Sequence, residues 1–242
     1  MTTPYDLLLA ELRRDRSRPL ITYYDDETGE RVELSVATFD NWVAKTAGLL
    51  RDGLAVGAGG RVALMLPAHW QSAVWGMACW AVGACAVLGM TDRVDVAVTG
   101  PDALSDAVGA GAAQIVALSL RPLGARFTDP LPAGVLDFAL EVPSYPDQMA
   151  YSAPDPAEPG LDGGGVAQTL GGVVTHAGDR VAQLGVQPGS RLLVSTDDLG
   201  TGLRDGLLVP LTVGGSSVLV RHENAAGRQA RIAAERVTAV AG

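Results

Sequence analysis

GGRVALMLPAHWQSAVWGMACWAVGACAVLG, residues 59–89, reads as a buried strand, a buried helix and a second buried strand. VALML (62–66) has no polar alternation, as expected for a strand covered on both faces. The helix expected over about 69–81 carries Trp70, Trp75 and Trp80. Steps of five place them about 140° apart around the axis, so they form no stripe. A helix that is apolar all round belongs inside a large core. ACAVLG then returns as a strand.

A weaker copy follows in GSRLLVSTDDLGTGLRDGLLVPLTVGGSSVLV, residues 189–220. With a shift of 130, Leu54, Val56, Gly59 and Arg61 match Leu184, Val186, Gly189 and Arg191. After a one-residue gap, Val82, Gly83, Val87 and Leu88 match Val213, Gly214, Val218 and Leu219. The pairing predicts two related α/β units packed on each other.

Around these copies the chain alternates strand and helix. Thr3-Pro4 opens a helix over about 5–14. LITYYD and RVELSV flank a turn at Asp26–Gly29, a hairpin. Ser35 caps a helix over about 37–51. VDVAVTG, a short helix after Pro101 and QIVALSL continue the alternation, which predicts a mostly parallel sheet with helices on both faces. Eight of the fourteen prolines fall between Pro122 and Pro159, so 121–160 reads as an extended, polyproline-rich connector with periodicity only around VLDFALEV. A helix over about 166–184, strand RLLVST, a helix over about 202–212, strand SSVLVRH, a helix over about 224–235 and a last strand RVTAV follow. The expected fold is therefore α/β, with two related doubly wound subdomains at 1–120 and 161–242 joined by residues 121–160, the whole forming a single compact unit.

The 242 residues are 48% hydrophobic and 19% charged, a globular balance with room for a real core. A net charge of −9 argues against nucleic acid as a partner, since phosphate backbones need a basic face. Of the eighteen cationic residues one is lysine, Lys45, which reads as a solvated helix residue. Val62 to Met90 lacks charge and is long enough to span a bilayer. Pro67 and Gly83 cut it into strand-sized and helix-sized pieces, and His69, Gln71 and Ser72 lie inside it, so no membrane span is expected. The start, MTTPYDLLLAELRRD, is no signal peptide. Cys79 and Cys85 lie inside the apolar run and read as inert core thiols, consistent with a cytoplasmic protein.

The stretch GERVELSVATFDNWVAKTAGLLRDGLAVGAGGRVALMLPAHWQSAVWGMACWAVGACAVL (29–88) resembles the N-terminal part of adenylate-forming enzymes, the acyl-CoA synthetase and AMP-ligase superfamily. Those proteins run from a helix into a G-x-x-x-G-D-R-V strand, a Pro turn, a helix and a Gly-Ala strand. Gly60 stands where their Asp is usual. GGVVTHAG (171–178) resembles the K-G-V-x-x-T-H that follows their phosphate loop, and 207–240 resembles their later strand, helix and R-V-T strand. The resemblance implies the first half of the synthetase large domain.

It also marks what is missing. The family's phosphate loop is rich in Ser, Thr and Gly and ends in Pro-Lys-Gly, so that amides, hydroxyls and a lysine cradle phosphate oxygens. The matching place here is DGGGVAQTLGG (162–172): Gly163, Gly164 and Gly165 remain, Thr169 is the remaining hydroxyl, and Gly171 replaces the lysine. The sequence stops before the family's adenine-binding and acyl-pocket segments and before the small domain that carries its catalytic lysine. The resemblance thus implies a degenerate relative without adenylating activity, acting as a binding or regulatory module. The alternative is residual nucleotide or acyl-adenylate binding, or an AMP-ligase-like enzyme that needs a partner chain.

Candidate residues for such binding are Gly163, Gly164, Gly165, Thr169, Thr175, His176 and Asp197. The three glycines form either an anion nest at a helix start or a flexible end of the connector. His176 is either the remnant of the family's T-H pair or a half-exposed helix histidine. Asp197 and Asp198 follow a strand, where they face a ligand crevice or make a solvated turn and helix cap. His69 reads as a group that satisfies backbone at a helix start, and nothing singles out His222. No catalytic residue or metal set is expected, and no cofactor, although ATP or AMP fits the family. An exposed sheet edge near VTAVAG suggests a homo-oligomer or a protein partner.

Overall fold

The structure is a computed structural model that describes residues 2–91 and 93–241. In chain order it contains α1 (Pro4–Asp15), β1 (Pro19–Asp25), β2 (Glu30–Ser35), α2 (Val36–Gly48), β3 (Arg61–Met65), α3 (Trp70–Ala81), β4 (Cys85–Leu88), β5 (Val96–Thr99), α4 (Leu104–Gly109) and β6 (Ile115–Ala117). There follow β7 (Val135–Asp137), α5 (Phe138–Glu141), β8 (Pro159–Gly163), β9 (Val166–Thr169), α6 (Leu170–Leu184), β10 (Arg191–Ser195), α7 (Leu199–Thr201), α8 (Val209–Thr212), β11 (Ser216–Arg221), α9 (Arg228–Ala234) and β12 (Ala239–Ala241). A π-type segment, Gly202–Leu208, joins α7 and α8 into one wide helix.

Two sheets form, one of order β12-β10-β11-β1-β2 and one of order β7-β6-β5-β3-β4-β8-β9. All pairings are parallel except the hairpins β1–β2 and β8–β9. The fold class is the α/β one the alternation implies. The boundary between sheets does not fall on residues 121–160, however. The early hairpin β1–β2 joins the late strands through β1–β11, and the later hairpin β8–β9 joins the early strands through β4–β8. Each half of the chain lends two strands to the other half's sheet, and one continuous hydrophobic core runs through both.

The internal repeat is structural. β3-α3-β4 and β10-helix-β11 each place two parallel neighbours on either side of a buried helix. Gly59 and Gly189 enter the first strands at φ +78 and +77, a left-handed turn that glycine adopts without strain. The Gly59 N–H donates to the Gly83 carbonyl at 3.0 Å, and the Gly189 N–H to the Val213 carbonyl at 2.8 Å. The Cys85 N–H donates to the Gly60 carbonyl, and its counterpart Ser216 to Ser190.

Every residue of α3 is buried. Its tryptophans point to three neighbours, as their spacing requires. Trp70 meets Trp42 edge-on at 5.5 Å, Trp75 lies 5.3 Å from Phe138, and Trp80 donates to the Gly160 carbonyl at 2.7 Å. His69 caps the helix, its Nδ1 accepting from the Gln71 N–H at 3.1 Å.

Three local expectations change. The helix expected from 166 begins at Leu170, because Thr169 caps it by accepting from the Gly172 N–H, and 166–169 is β9. The connector is more than an extended strap: it adds β7 to a sheet edge and buries Phe138 and Val142 in the core. Lys45 is not simply solvated; its Nζ donates to the Tyr145 carbonyl at 2.8 Å and pairs with Asp147, pinning α2 to the connector.

A Cβ at Gly215 would sit 2.1 Å from the Ser190 carbonyl oxygen, whereas Gly178, inside α6, faces open space. We expect Gly215→Ala to cost about 3 kcal/mol through forced backbone movement. Gly178→Ala should gain about 0.5–1 kcal/mol from helix propensity. Urea unfolding of the two variants checks both signs.

Candidate functional site

A crevice opens at the carboxyl ends of the strands, the usual ligand face of a parallel α/β sheet. Its wider part, about 560 Å³, lies between Leu66 and Pro67 after β3, Gly89 after β4, Gly100 after β5, and Asp197–Gly200 after β10. A narrower cavity of about 230 Å³ adjoins it, sharing Leu88, Gly164, Asp198 and Gly200. The narrow cavity is walled by Trp80, Leu88, Leu161, Val166, Val173, Leu203 and Leu208, with Gln168, His176, Asp198, Thr201 and Arg204 as polar groups.

The hairpin β8–β9 brings Gly163–Gly165 to this place. They turn the hairpin with φ of +150, +59 and +79. They are therefore the tip of an ordered hairpin, neither a helix start nor a loose end of the connector. Gly163 packs so closely on Leu88 that a Cβ would fall 2.5 Å from the leucine's own. Gly163 and Gly164 line the narrow cavity together with His176, and Gly164 and Asp197 line the wider part. Gly165, Thr169 and Thr175 line neither cavity. Thr169 is occupied as the α6 cap, and the Thr175 hydroxyl donates to the Gly171 carbonyl one turn back at 3.0 Å.

His176 shares a hydrogen bond with the Gln168 side chain across β9 and α6. Asp198 caps α7 by accepting from the Thr201 N–H at 2.7 Å. Asp197 is 62% exposed and accepts from the His222 N–H at 3.3 Å.

The cations near the crevice are spent on protein partners. Arg204 and Arg180 both bind Asp205, whose side chain is 1% exposed. Burial alone would raise the Asp205 carboxyl, but hydrogen bonds from Arg204 and Arg180 outweigh it and hold it below its ordinary value. Arg61 reaches Asp162, on β8 beside the glycine tip, at 2.6 Å. The thiols of Cys79 and Cys85 are unpaired and buried, and burial pushes both upward, away from thiolate chemistry.

A polar cluster without a motif in the sequence lies where the two sheets meet. His69, at the start of α3, stacks edge-on against Tyr23 at 4.5 Å, and its Nε2 lies 3.8 Å from Glu30. His69 Nε2, Glu30 Oε1 and the Tyr23 hydroxyl are buried without hydrogen-bond partners. A second group joins Asp25, Glu27 and His222 at the ends of β1 and β11. Asp25 and His222 both end strands in the sequence; that β1 and β11 are neighbours was not visible, because 190 residues separate them.

No known protein-family profile matches the chain. A protein of Mycobacterium tuberculosis (strain ATCC 25618 / H37Rv) described as a "TIGR03089 family protein" is 42% identical over 251 residues, covering 99% of this chain and 100% of the relative. The chain belongs to the TIGR03089 family.

Among solved structures, Brucella canis acyl-CoA synthetase superposes with a TM-score of 0.79 at 16% identity, over 98% of this chain and 47% of that one. The N-terminal domain of FACL13 from Mycobacterium tuberculosis gives 0.74 at 17%, over 98% and 62%. The anthranilate CoA ligase AuaEII, solved with anthranoyl-AMP, gives 0.75 at 15%, over 98% and 49%. This member of the TIGR03089 family has the fold of the N-terminal part of acyl-CoA synthetases and spans roughly half to three-fifths of the length of those solved chains. Among the described residues no helix is long and apolar enough to cross a membrane.

Burial holds the His69 imidazole below its ordinary value, against the pull of Glu30 and Asp25 and together with the repulsion of Arg221. A histidine kept neutral in the fold binds its proton more readily once unfolded. The stability it protects is therefore full above about pH 6.5 and falls as pH drops below that value. Asn retains the cap without titrating. His69→Asn should lose the part of the acid sensitivity seen between pH 7 and pH 5.5 in urea unfolding; parallel pH curves for the two proteins would show that the histidine is not its source.

Proposed function

We propose that this protein is a binding module of acyl-CoA synthetase fold that does not activate carboxylates with ATP. The carrying observation is the chemistry of the β8–β9 hairpin. From Gly160 to Gln168 it has no Lys, Arg, Ser or Thr, and its one charge is the carboxylate of Asp162. Phosphate oxygens need amides, hydroxyls and a cation. Here amides remain at the glycine tip, while Arg61 and Arg204 are engaged by Asp162 and Asp205.

The narrow cavity supports a different occupant. Seven apolar side chains and a volume of about 230 Å³, below the usual range of ligand pockets of about 300–1,000 Å³, suit a small acyl or aryl group and not a nucleotide. Gln168 and His176 at its polar side supply hydrogen bonds for a carbonyl or carboxylate. A second reading, weak nucleotide or acyl-adenylate binding, has one observation in its favour: Gly163 and Gly164 put bare backbone at the crevice, as in the ligase solved with anthranoyl-AMP the fold accommodates an adenylate. β12 ends its sheet as an edge strand with Val240 partly exposed, which supports a protein partner or self-association there. The two unpaired thiols support a reducing, cytoplasmic setting.

Thermal unfolding against Mg-ATP, AMP, CoA, small aliphatic and aromatic carboxylates and a non-hydrolysable acyl-adenylate mimic tests the reading. A ligand at a hundred times its dissociation constant adds about 2.7 kcal/mol, a midpoint shift of several degrees. We expect that shift with a carboxylate or the mimic and none with Mg-ATP, and Val166→Trp, an exposed strand position that lines the narrow cavity, should abolish it. A shift of equal size with Mg-ATP contradicts the proposal.

A further inference from the structure

The geometry points to a divalent transition-metal site, of the kind that takes zinc, formed by Asp25, Glu27 and His222. Nothing in the preceding reading uses these residues together, and the proposal stands apart from what the crevice binds.

The three side chains come from two neighbouring parallel strands. Asp25 ends β1, Glu27 lies in the turn that follows, and His222 follows β11, which pairs with β1 in register up to Asp25 and Arg221. The decisive feature is the imidazole Nδ1. It lies 2.9 Å from Asp25 Oδ1 and 3.2 Å from Glu27 Oε2. One N–H shared between two carboxylates is a bifurcated bond, weaker to each oxygen than a bond of its own, and the Glu27 and Thr28 N–H groups hold Asp25 Oδ1 in place beside it. A divalent cation between the three atoms would bind both carboxylates and the ring nitrogen at once. Ligand atoms held about 2.0–2.1 Å from a tetrahedral zinc are about 3.3 Å apart along each edge; the Glu27 separation matches that value and the Asp25 separation needs to open by about 0.4 Å.

The charges agree. Asp25, Glu27 and Asp197 bring three carboxylates, and the single cation facing them is Arg221, whose Nη1 is 3.8 Å from Asp25 and whose Nε is 3.6 Å from Asp197. The neighbouring acids are already neutralised: Asp26 by Arg231, and Glu223 by Arg228 and Arg231. Around one imidazole this leaves a net of two negative charges, the charge that a divalent ion balances. Asp197 Oδ1 lies 4.0 Å from His222 Nε2, the ring nitrogen away from the site, and accepts the His222 backbone N–H, so it holds the histidine in place and adds negative charge without ligating. Asp25 is buried and Glu27 is open, giving a fixed inner wall and a mobile outer one. One imidazole nitrogen with carboxylate oxygens favours zinc over magnesium, which prefers an all-oxygen shell.

The test uses the full chain, stripped with a chelator and dialysed, titrated calorimetrically with zinc chloride and with magnesium chloride. The expected result is one saturable zinc site per chain and magnesium binding at least a hundredfold weaker. Glu27→Ala, a substitution at an exposed turn that leaves the fold intact, should weaken zinc at least tenfold, and His222→Ala should weaken it further. Cobalt substitution gives an independent readout, visible absorption bands of tetrahedral intensity that disappear in Glu27→Ala. The proposal is overturned if the wild-type chain shows no saturable zinc binding, or if zinc affinity and the cobalt spectrum are the same in Glu27→Ala as in the wild type.

Discussion

Leu203 fills the notch that Gly76 leaves on α3, and this contact joins the two halves of the molecule. A Cβ at Gly76 would lie 2.6 Å from a Leu203 methyl. The two helices of the internal repeat can therefore approach closely between two sheets. On the same seam Ala68 meets Gly202. Small residues on one side and leucine or alanine on the other give the density that protein interiors require. Because both repeat helices share this seam, the carboxyl ends of β3, β4 and β10 open onto one common crevice. The exchanged hairpins lock it: β1–β2 and β8–β9 each tie one half's chain to the other half's sheet.

Much of this was legible in the sequence, for identifiable reasons. The uncharged run at 62–90 could be read as strand-helix-strand because Pro67 and Gly83 punctuate it, and the three tryptophans predicted a helix buried on every side. The matched glycines carried the repeat because a left-handed φ demands that residue at equivalent turns. Strand exchange was not legible, since alternation says which segments are strands and not which sheet receives them. The start of α6 was misplaced because VAQT has no apolar period of its own, and its strand identity comes from pairing with β8. Lys45 looked solvated because its partners, Tyr145 and Asp147, lie a hundred residues away in a proline-rich stretch without periodicity.

The candidate site divides in the same way. Gly163, Gly164, His176 and Asp197 do reach the crevice, because a hairpin tip, a helix face and a strand end converge there. Thr169 and Thr175 were credible by residue type and are consumed by local backbone, one as a cap and one as a back-bond. His222 drew no attention in the sequence; its environment exists only where β1 and β11 meet. Hydroxyl and carboxylate side chains near a loop signal chemistry only when nothing local has already claimed them.

In the proposed reading this synthetase-like scaffold keeps a crevice and lacks the phosphate chemistry of an adenylating enzyme. ATP–pyrophosphate exchange, measured on the purified chain with magnesium and a panel of aliphatic and aromatic carboxylic acids, tests this. Exchange no faster than in the protein-free control is expected for every acid. Exchange that depends on one of the acids and saturates with it would contradict the claim.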